Sequence, residues 1–262
     1  MDFGIAGKKA LVCAASKGLG RASAVTLAKE GVEVMLCARS VQSLDQVEQE
    51  IRQSGGRAHS HACDLTDGAS RQSLIDAANK VLGQVDILIH NVGGPKATTV
   101  EGTSLDDWRQ GYEQLFPGIV HLNSAFLPAM KQRQWGRIVA ITSISVLEPI
   151  ASLAISNAMR AAVTAMLKTL ADEVALANVT INCVAPGLIA TDRAESLMQN
   201  RIERSGLSRE DYMKDYLKSI PAGRLGDPAE FGAVVAFLCS QQASYVTGST
   251  IAVDGGKRRS TY

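Results

Sequence analysis

Short apolar runs with the character of β-strands alternate with stretches of helical periodicity along nearly the whole chain of 262 residues. Strict alternation of this kind is typical of a parallel sheet with helices on both faces. We therefore predict an α/β fold, a doubly wound parallel sheet of about seven strands that forms a single domain over residues 1–262. The expected strands cover residues 10–13, 32–38, 58–63, 87–90, 137–142, 180–184 and 249–253. The expected helices cover residues 22–30, 44–53, 71–82, 105–133, 153–176 and 228–240.

The composition narrows the class of protein. Lys and Arg number 27 against 26 Asp and Glu, which argues against a protein of nucleic acids or membrane surfaces. No basic leader precedes an apolar segment, and no apolar run approaches about 18 residues, the length of a membrane span. The five cysteines are odd in number and form no CxxC pair, which is typical of buried free thiols in a reducing cytoplasm.

The first strand leads directly into a glycine-rich turn. Residues 9–21 read KALVCAASKGLGR, and a helical pattern follows at once. A strand, a tight turn and a helix N-terminus together form a seat for phosphate, because backbone N–H groups and the positive end of the helix face the anion. Two glycines alone are equally compatible with an ordinary strand-to-helix turn.

Six segments in chain order resemble those of the short-chain dehydrogenase/reductase family, in the branch that contains the 3-oxoacyl-carrier-protein reductases. The resemblance runs from about Gly7 to Gly256 and implies a Rossmann-like oxidoreductase. The six segments are CAASKGLG at 13–20, DL at 64–65, HNVG at 90–93, GRIV at 136–139 with TS at 142–143, PGLIAT at 186–191 and TGSTIAVDGG at 247–256.

The resemblance gives these segments roles in holding a dinucleotide. Arg39 ends the second predicted strand, where an acidic residue would accept from the ribose 2′-OH and repel a 2′-phosphate. A basic residue there, with Lys17 nearby, favours NADP(H) as the cofactor, although Arg39 could also be a solvated loop charge. The implied cofactor-binding residues are Ser16, Lys17, Gly18, Leu19, Gly20, Arg39, Asp64, Leu65, Asn91, Gly93, Arg160, Pro186, Gly187, Ile189 and Thr191.

The chain departs from the family pattern where the chemistry is expected. The family uses a serine, a tyrosine thirteen residues later and a lysine four residues beyond it. Counting from Ser143 places Ser156 at the tyrosine position and Arg160 at the lysine position. A serine hydroxyl is a poor acid near neutral pH, and an arginine stays protonated. Ala14 replaces the first glycine of the loop, and a fourth family residue, an asparagine, falls at Leu115.

We therefore expect an atypical NADP(H)-dependent carbonyl reductase or alcohol dehydrogenase. In this hypothesis Ser143 polarises the substrate carbonyl, Arg160 holds the nicotinamide ribose, and Ser156 passes a proton through water. One alternative is an NADP-binding protein without hydride transfer, acting as a sensor or partner subunit. Another is non-redox chemistry on the same fold.

The remaining expectations concern the surroundings of the site. The polar segment 190–224 is predicted to be a substrate lid, because long insertions at the carboxyl edge of a sheet usually bind or cover ligands. The resemblance implies a homotetramer or homodimer that acts on a small carbonyl or alcohol substrate. The charge balance leads us to expect no nucleic-acid or membrane partner. His59, His61 and Cys63 share one face of a predicted strand, but they form a ladder without an obvious fourth ligand, so we expect no metal.

Overall fold

A single parallel sheet organises the chain. The computed structural model describes residues 2–261, without the side chains of residues 197, 200, 201 and 204. Its seven strands lie in the order β3-β2-β1-β4-β5-β6-β7, and all neighbouring strands are parallel. The strands are β1 (Lys9–Cys13), β2 (Glu33–Ala38), β3 (Arg57–Ala62), β4 (Ile87–His90), β5 (Gly136–Ile141), β6 (Val179–Pro186) and β7 (Thr250–Val253). The doubly wound parallel sheet predicted from the alternation is therefore confirmed.

Helices cover both faces of this sheet. The described helices are α1 (Gly18–Lys29), α2 (Val41–Gln53), α3 (Gly68–Leu82), α4 (Leu105–Leu115), α5 (Pro117–Gln132), α6 (Ala154–Val174), α7 (Asp192–Ser205), α8 (Arg209–Lys218) and α9 (Pro228–Cys239). One buried apolar cluster joins the sheet to α1, α2 and α9, and a second joins it to α3, α5 and α6. Strands β2 and β4 leave β1 on opposite sides, so the connections diverge at β1 and open a crevice at its carboxyl end.

The single helix predicted over residues 105–133 is instead two helices. Helix α4 ends at Leu115, and Pro117 is the first residue of α5. Proline has no N–H group and its ring clashes with the preceding turn, so it starts a helix readily and breaks one in its interior. Phe116 forms the junction with φ −112° and ψ −57°. The break leaves Leu115 buried against the sheet.

The polar segment 190–224 forms two helices at the carboxyl edge of the sheet. Thr191 caps α7 by accepting a hydrogen bond from the Ala194 amide, and Ser208 caps α8 by accepting from the Asp211 amide. Ile189 forms an isolated bridge with Gly226, which ties the two ends of this segment together. No helix among residues 2–261 is long and apolar enough to cross a membrane.

A fully buried arginine lies at the opposite end of the sheet. Arg137, in β5, donates from Nε to the Ser240 carbonyl and from Nη1 to the carbonyls of Gly136 and Asn178. Its Cζ atom lies 4.6 Å from the centre of the Trp135 ring. Burial lowers the pKa of this guanidinium. The carbonyl dipoles and the ring therefore take the place of a counter-ion.

Candidate active site

The glycine-rich turn after β1 has the geometry of an anion seat. Gly18 begins α1, four residues before the predicted start, and its φ of +57° is in the region that favours glycine. A Cβ atom at Gly20 would lie 2.2 Å from the carbonyl oxygen of Ala14, so only glycine fits there. The turn is therefore a cradle that a side chain at position 20 would fill.

Ala14 holds a strained conformation in this turn. Its φ is +46°, which costs a residue with a Cβ about 1–2 kcal/mol. Its carbonyl accepts a hydrogen bond of 3.5 Å from Nδ2 of Asn91, the first residue after β4. Position 14 therefore takes a positive φ although its residue is not the glycine of the family pattern. The Asn91 amide helps to keep the strained turn in place.

The segment after β6 reaches the same place from the other side. The methyl group of Thr191 lies 3.6 Å from the position of a Cβ on Gly18. Gly187 donates to the Val253 carbonyl, and a Cβ there would lie 2.7 Å from Cα of Asp254. Ile189 is buried below the turn. The structure thus brings the Gly18, Asn91 and Thr191 segments together at the carboxyl edge between β1 and β4.

A second group of predicted residues lies beyond β2 and β3. Arg39 is exposed at the end of β2. The Asp64 carboxylate, after β3, accepts from the amide and hydroxyl of Thr66, which lowers its pKa, and the charge of Arg39 adds to this effect. The neighbouring Leu65 carbonyl accepts from Nη1 of Arg71. Arg39 and Asp64 therefore lie close together at the carboxyl ends of β2 and β3.

Ser143 follows β5 and has a hydroxyl available for a ligand. Its Oγ accepts a hydrogen bond of 3.1 Å from the Ser145 amide, in the short 3₁₀ turn Ile144–Val146. The described parts of residues 2–261 offer no hydrogen-bond acceptor to its hydroxyl proton. The backbone contact fixes the oxygen while leaving its proton free to donate. Ser145 itself is buried in this turn.

Arg160 bridges the ends of two central strands. Its Nη1 donates to the carbonyl of Ile141 at 3.1 Å, and its Nη2 donates to the carbonyl of Val92 at 3.4 Å. Burial and the nearby charge of Arg193 lower the pKa of Arg160 to about 10, so it remains a cation at neutral pH. It lines a small cavity together with Leu115 and His90. The guanidinium is thus fixed at the expected site with donors to spare.

Ser156 is buried in the first turn of α6, four residues before Arg160, and therefore lies on the same face of the helix. His90 is a buried, hydrogen-bonded histidine. Its Nε2 lies 2.7 Å from Oδ1 of Asn123, and burial lowers its pKa to about 4. Tyr112 is 45 % exposed on α4. None of these three side chains is an obvious candidate for a general acid next to Ser143 at neutral pH.

One cation at the site, Arg193 of the polar segment 190–224, is not among the predicted site residues. Arg193, in the first turn of α7, donates from Nη2 to the Pro95 carbonyl at 3.2 Å. Its guanidinium lies beside Gly94, where a Cβ would come within 2.8 Å of Nη2. The signals were a paired glycine after β4 and an arginine two residues after Thr191, but neither reveals the contact without the fold.

The histidine ladder on β3 has separate partners for each member. His59 Nε2 lies 2.9 Å from Oε1 of Glu33, His61 Nε2 lies 3.2 Å from Oγ of Ser73, and the Cys63 thiol donates to the Ser70 carbonyl. Among residues 2–261 no group of three or more histidine, cysteine or carboxylate side chains is arranged to hold a metal ion.

Known proteins share this arrangement over nearly the whole chain. Residues 13–258 match the family model described as enoyl-(acyl carrier protein) reductase. The chain is 35 % identical over 250 residues to the 3-oxoacyl-[acyl-carrier-protein] reductase FabG of Salmonella typhimurium, covering 95 % of this chain and 97 % of that protein. It is 29 % identical over 255 residues to the NADPH-dependent reductase BacG of Bacillus subtilis, covering 97 % and 98 %.

A solved structure extends the similarity to three dimensions. The L-sorbose reductase of Gluconobacter frateurii, crystallised with NADPH and L-sorbose, superimposes with a TM-score of 0.93 at 31 % identity. The match covers 99 % of this chain and 100 % of that one. The bound NADPH of this relative supports the expectation of NADP(H) as the cofactor.

Proposed function

Since the chain belongs to the short-chain dehydrogenase/reductase family, we propose that it is an NADP(H)-dependent enzyme that interconverts a carbonyl compound and a secondary alcohol with a non-standard proton donor. The observation that carries the proposal is the meeting of Gly18, Asn91 and Thr191 at the edge between β1 and β4. In doubly wound sheets this crevice is where dinucleotides bind.

The cofactor site is proposed from the residues that line this crevice. Ser16 and Lys17 would bind the phosphates with the amides of Gly18, Leu19 and Gly20. The adenosine half would lie at Asp64 and Leu65, with Arg39 at the 2′-phosphate. The nicotinamide half would lie against the remaining cofactor-binding residues, Asn91, Gly93, Arg160, Pro186, Gly187, Ile189 and Thr191. The open cradle at Gly20 fits such a group, since no Cβ obstructs the turn.

Three side chains are proposed to act on the substrate. NADPH, when bound, supplies the hydride. The hydroxyl group of Ser143 would donate a hydrogen bond to the substrate carbonyl oxygen and hold this oxygen in place. Arg160 would stabilise the negative charge that develops on this oxygen, because it stays protonated and has unused donors. Ser156 would relay a proton from water, since its own hydroxyl is too weak an acid to replace a tyrosine.

Binding and turnover test this proposal separately. NADPH is titrated while the fluorescence of its nicotinamide is followed, and carbonyl compounds are then screened by the loss of NADPH absorbance. We expect saturable binding and measurable oxidation with at least one ketone. Failure to bind NADPH would exclude the proposal, and binding without turnover on a broad panel would exclude the reductase activity.

Arg39 provides a test of cofactor preference. Arg39→Asp should weaken NADPH binding about 10-fold or more, because a charge-assisted contact with the 2′-phosphate is replaced by repulsion. NADH binding should improve, since the carboxylate can accept from the ribose 2′-OH. Both affinities are measured by nicotinamide fluorescence. The control is Arg57→Asp, an exposed arginine at the opposite end of β3. If the two substitutions changed the cofactor affinities equally, Arg39 would be only a surface charge without a contact to the 2′-phosphate.

A binding protein without hydride transfer is the second candidate. The observation that favours it concerns the general acid of the family, since Ser156 and Arg160 occupy the positions of the tyrosine and the lysine. Such a protein would bind NADPH with similar affinity and turn over nothing. The screen described above distinguishes the two candidates.

Three further features complete the proposal. Segment 190–224, with α7 and α8, would act as the lid over the substrate. The family pattern and the exposed apolar side chains of Leu105, Tyr112 and Val120 on α4 and α5 support a homotetramer or homodimer. The five unpaired cysteines favour a reducing cytoplasm as its location.

A further inference from the structure

Two arginines at the candidate active site have no carboxylate partner in the part of the chain that the structure describes. Arg160 contacts the carbonyls of Ile141 and Val92, and Arg193 contacts the carbonyl of Pro95. Neither forms an ion pair with any residue in 2–261. The arginines come from different helices, α6 and α7, yet both hold the strip of backbone 92–95 that follows β4.

Nearby carboxylates are engaged elsewhere. On α7, Oδ2 of Asp192 lies 3.8 Å from Nζ of Lys17, and Glu195 forms a bidentate ion pair with Arg209. Arg193, between these two acids in the sequence, faces the strip instead. Gly94 leaves room for this contact, since a Cβ at that position would come within 2.8 Å of Nη2 and 3.2 Å of Nε of Arg193, and the guanidinium would have to shift.

The two guanidinium groups repel each other. The charge of Arg193 contributes to the lowered pKa of Arg160, second to burial. Arg160 is the more buried of the two, while Arg193 is exposed. Like charges held close together cost free energy, and an anion placed near both reduces this cost. Each guanidinium still has N–H donors that the backbone does not use, in the forked arrangement that matches a carboxylate.

We propose that Arg160 and Arg193 form a binding site for a carboxylate carried by the carbonyl substrate, so that the protein acts on oxo acids rather than neutral ketones. This inference rests on the proposed reductase function. Arg193 would hold the carboxylate from the lid, and Arg160, which also faces the charge that develops on the carbonyl oxygen, would add its remaining N–H donors from the side of the sheet. Binding of the acid would then draw α7 towards strip 92–95, over the reacting carbonyl.

The test compares acids with their neutral esters. Pyruvate, acetoacetate and levulinate, each with its methyl ester, are titrated calorimetrically into the complex with NADP⁺, in which no reduction occurs. We expect at least one acid to bind about 10-fold or more tightly than its ester. Arg193→Gln should remove this preference, Arg193→Lys should restore part of it, and ester binding should change little. Arg109→Gln, at an exposed arginine paired with Asp106 on α4, is the matched control.

Three results would overturn the carboxylate site: no preference for any acid, a preference that survives Arg193→Gln, or inorganic phosphate binding as tightly as the best acid. A loss of NADPH affinity in Arg193→Gln with the preference intact would assign Arg193 to the cofactor instead. If the wild-type chain bound no NADPH, the reductase proposal would fail. The acid titrations on the cofactor-free chain would then decide the carboxylate site by themselves.

Discussion

Replacing Ser156 with tyrosine and Arg160 with lysine together is expected to raise kcat/KM for ketone reduction by about 10²-fold or more, since a positioned general acid contributes about 10²–10⁴-fold. Positions 156 and 160 are one helical turn apart on α6, so a tyrosine and a lysine there share one face. The ammonium group would lower the pKa of the phenol towards neutrality. Steady-state rates of NADPH oxidation with neutral ketones measure the gain.

The single variants separate chemistry from packing. Ser156→Tyr alone and Arg160→Lys alone should each gain much less than the pair, because the acid and the group that tunes it act as a unit. Adding Ser143→Ala to the double variant should remove most of the gain. The double variant should also lose rate at alkaline pH, as the tyrosine gives up its proton. A double variant no faster than wild type, with NADPH affinity retained, would mean that the missing acid does not limit the reaction.

Arg137→Ala is expected to lower the free energy of unfolding by about 3–5 kcal/mol, in the range for removing a large buried side chain and its hydrogen bonds. The carbonyls of Ser240, Gly136 and Asn178 would all lose a donor. These three groups belong to the end of α9, the start of β5 and the turn before β6. Denaturant unfolding followed by circular dichroism measures the change.

Arg137→Met distinguishes volume from hydrogen bonding. Methionine fills much of the same space and contacts Trp135 without placing a charge in the interior, so it should be less damaging than alanine. Arg109→Ala, on the surface of α4, should change the free energy of unfolding by less than about 0.5 kcal/mol. A loss below about 1 kcal/mol for Arg137→Ala would show that the carbonyls find other donors.

Features of the fold could be predicted from the sequence best where a single physical rule determines them. Alternating apolar and helical segments were sufficient for the parallel sheet, because strands buried on both faces must be continuously apolar. The division of residues 105–133 was missed because the apolar pattern continues through Phe116 while Pro117 interrupts the backbone. Hydrophobic periodicity indicates which face of a helix is buried. It carries no information about the backbone N–H donor that proline lacks.

Only part of the candidate site could be predicted from the sequence. The meeting of the Gly18, Asn91 and Thr191 segments follows from the order of the strands, since carboxyl ends of parallel strands share an edge. The position of Arg193 depends on where a lid helix begins and on the missing Cβ of Gly94, which are details of three-dimensional fit. The strain at Ala14 likewise appears only when its backbone angles are known.

The burial of every cysteine has a consequence for how the molecule can be studied. All five thiols are free, and Cys13 and Cys37 lie in register on β1 and β2, just below the glycine-rich turn. Burial raises the pKa of Cys183 to about 11 and that of Cys239 to about 12, which leaves almost no reactive thiolate in the closed state. A thiol reagent therefore reacts mainly with molecules whose sheet has opened for an instant. The five thiols would therefore report transient opening of β1, β2 and β6, of the segment that follows β3 and of the end of α9.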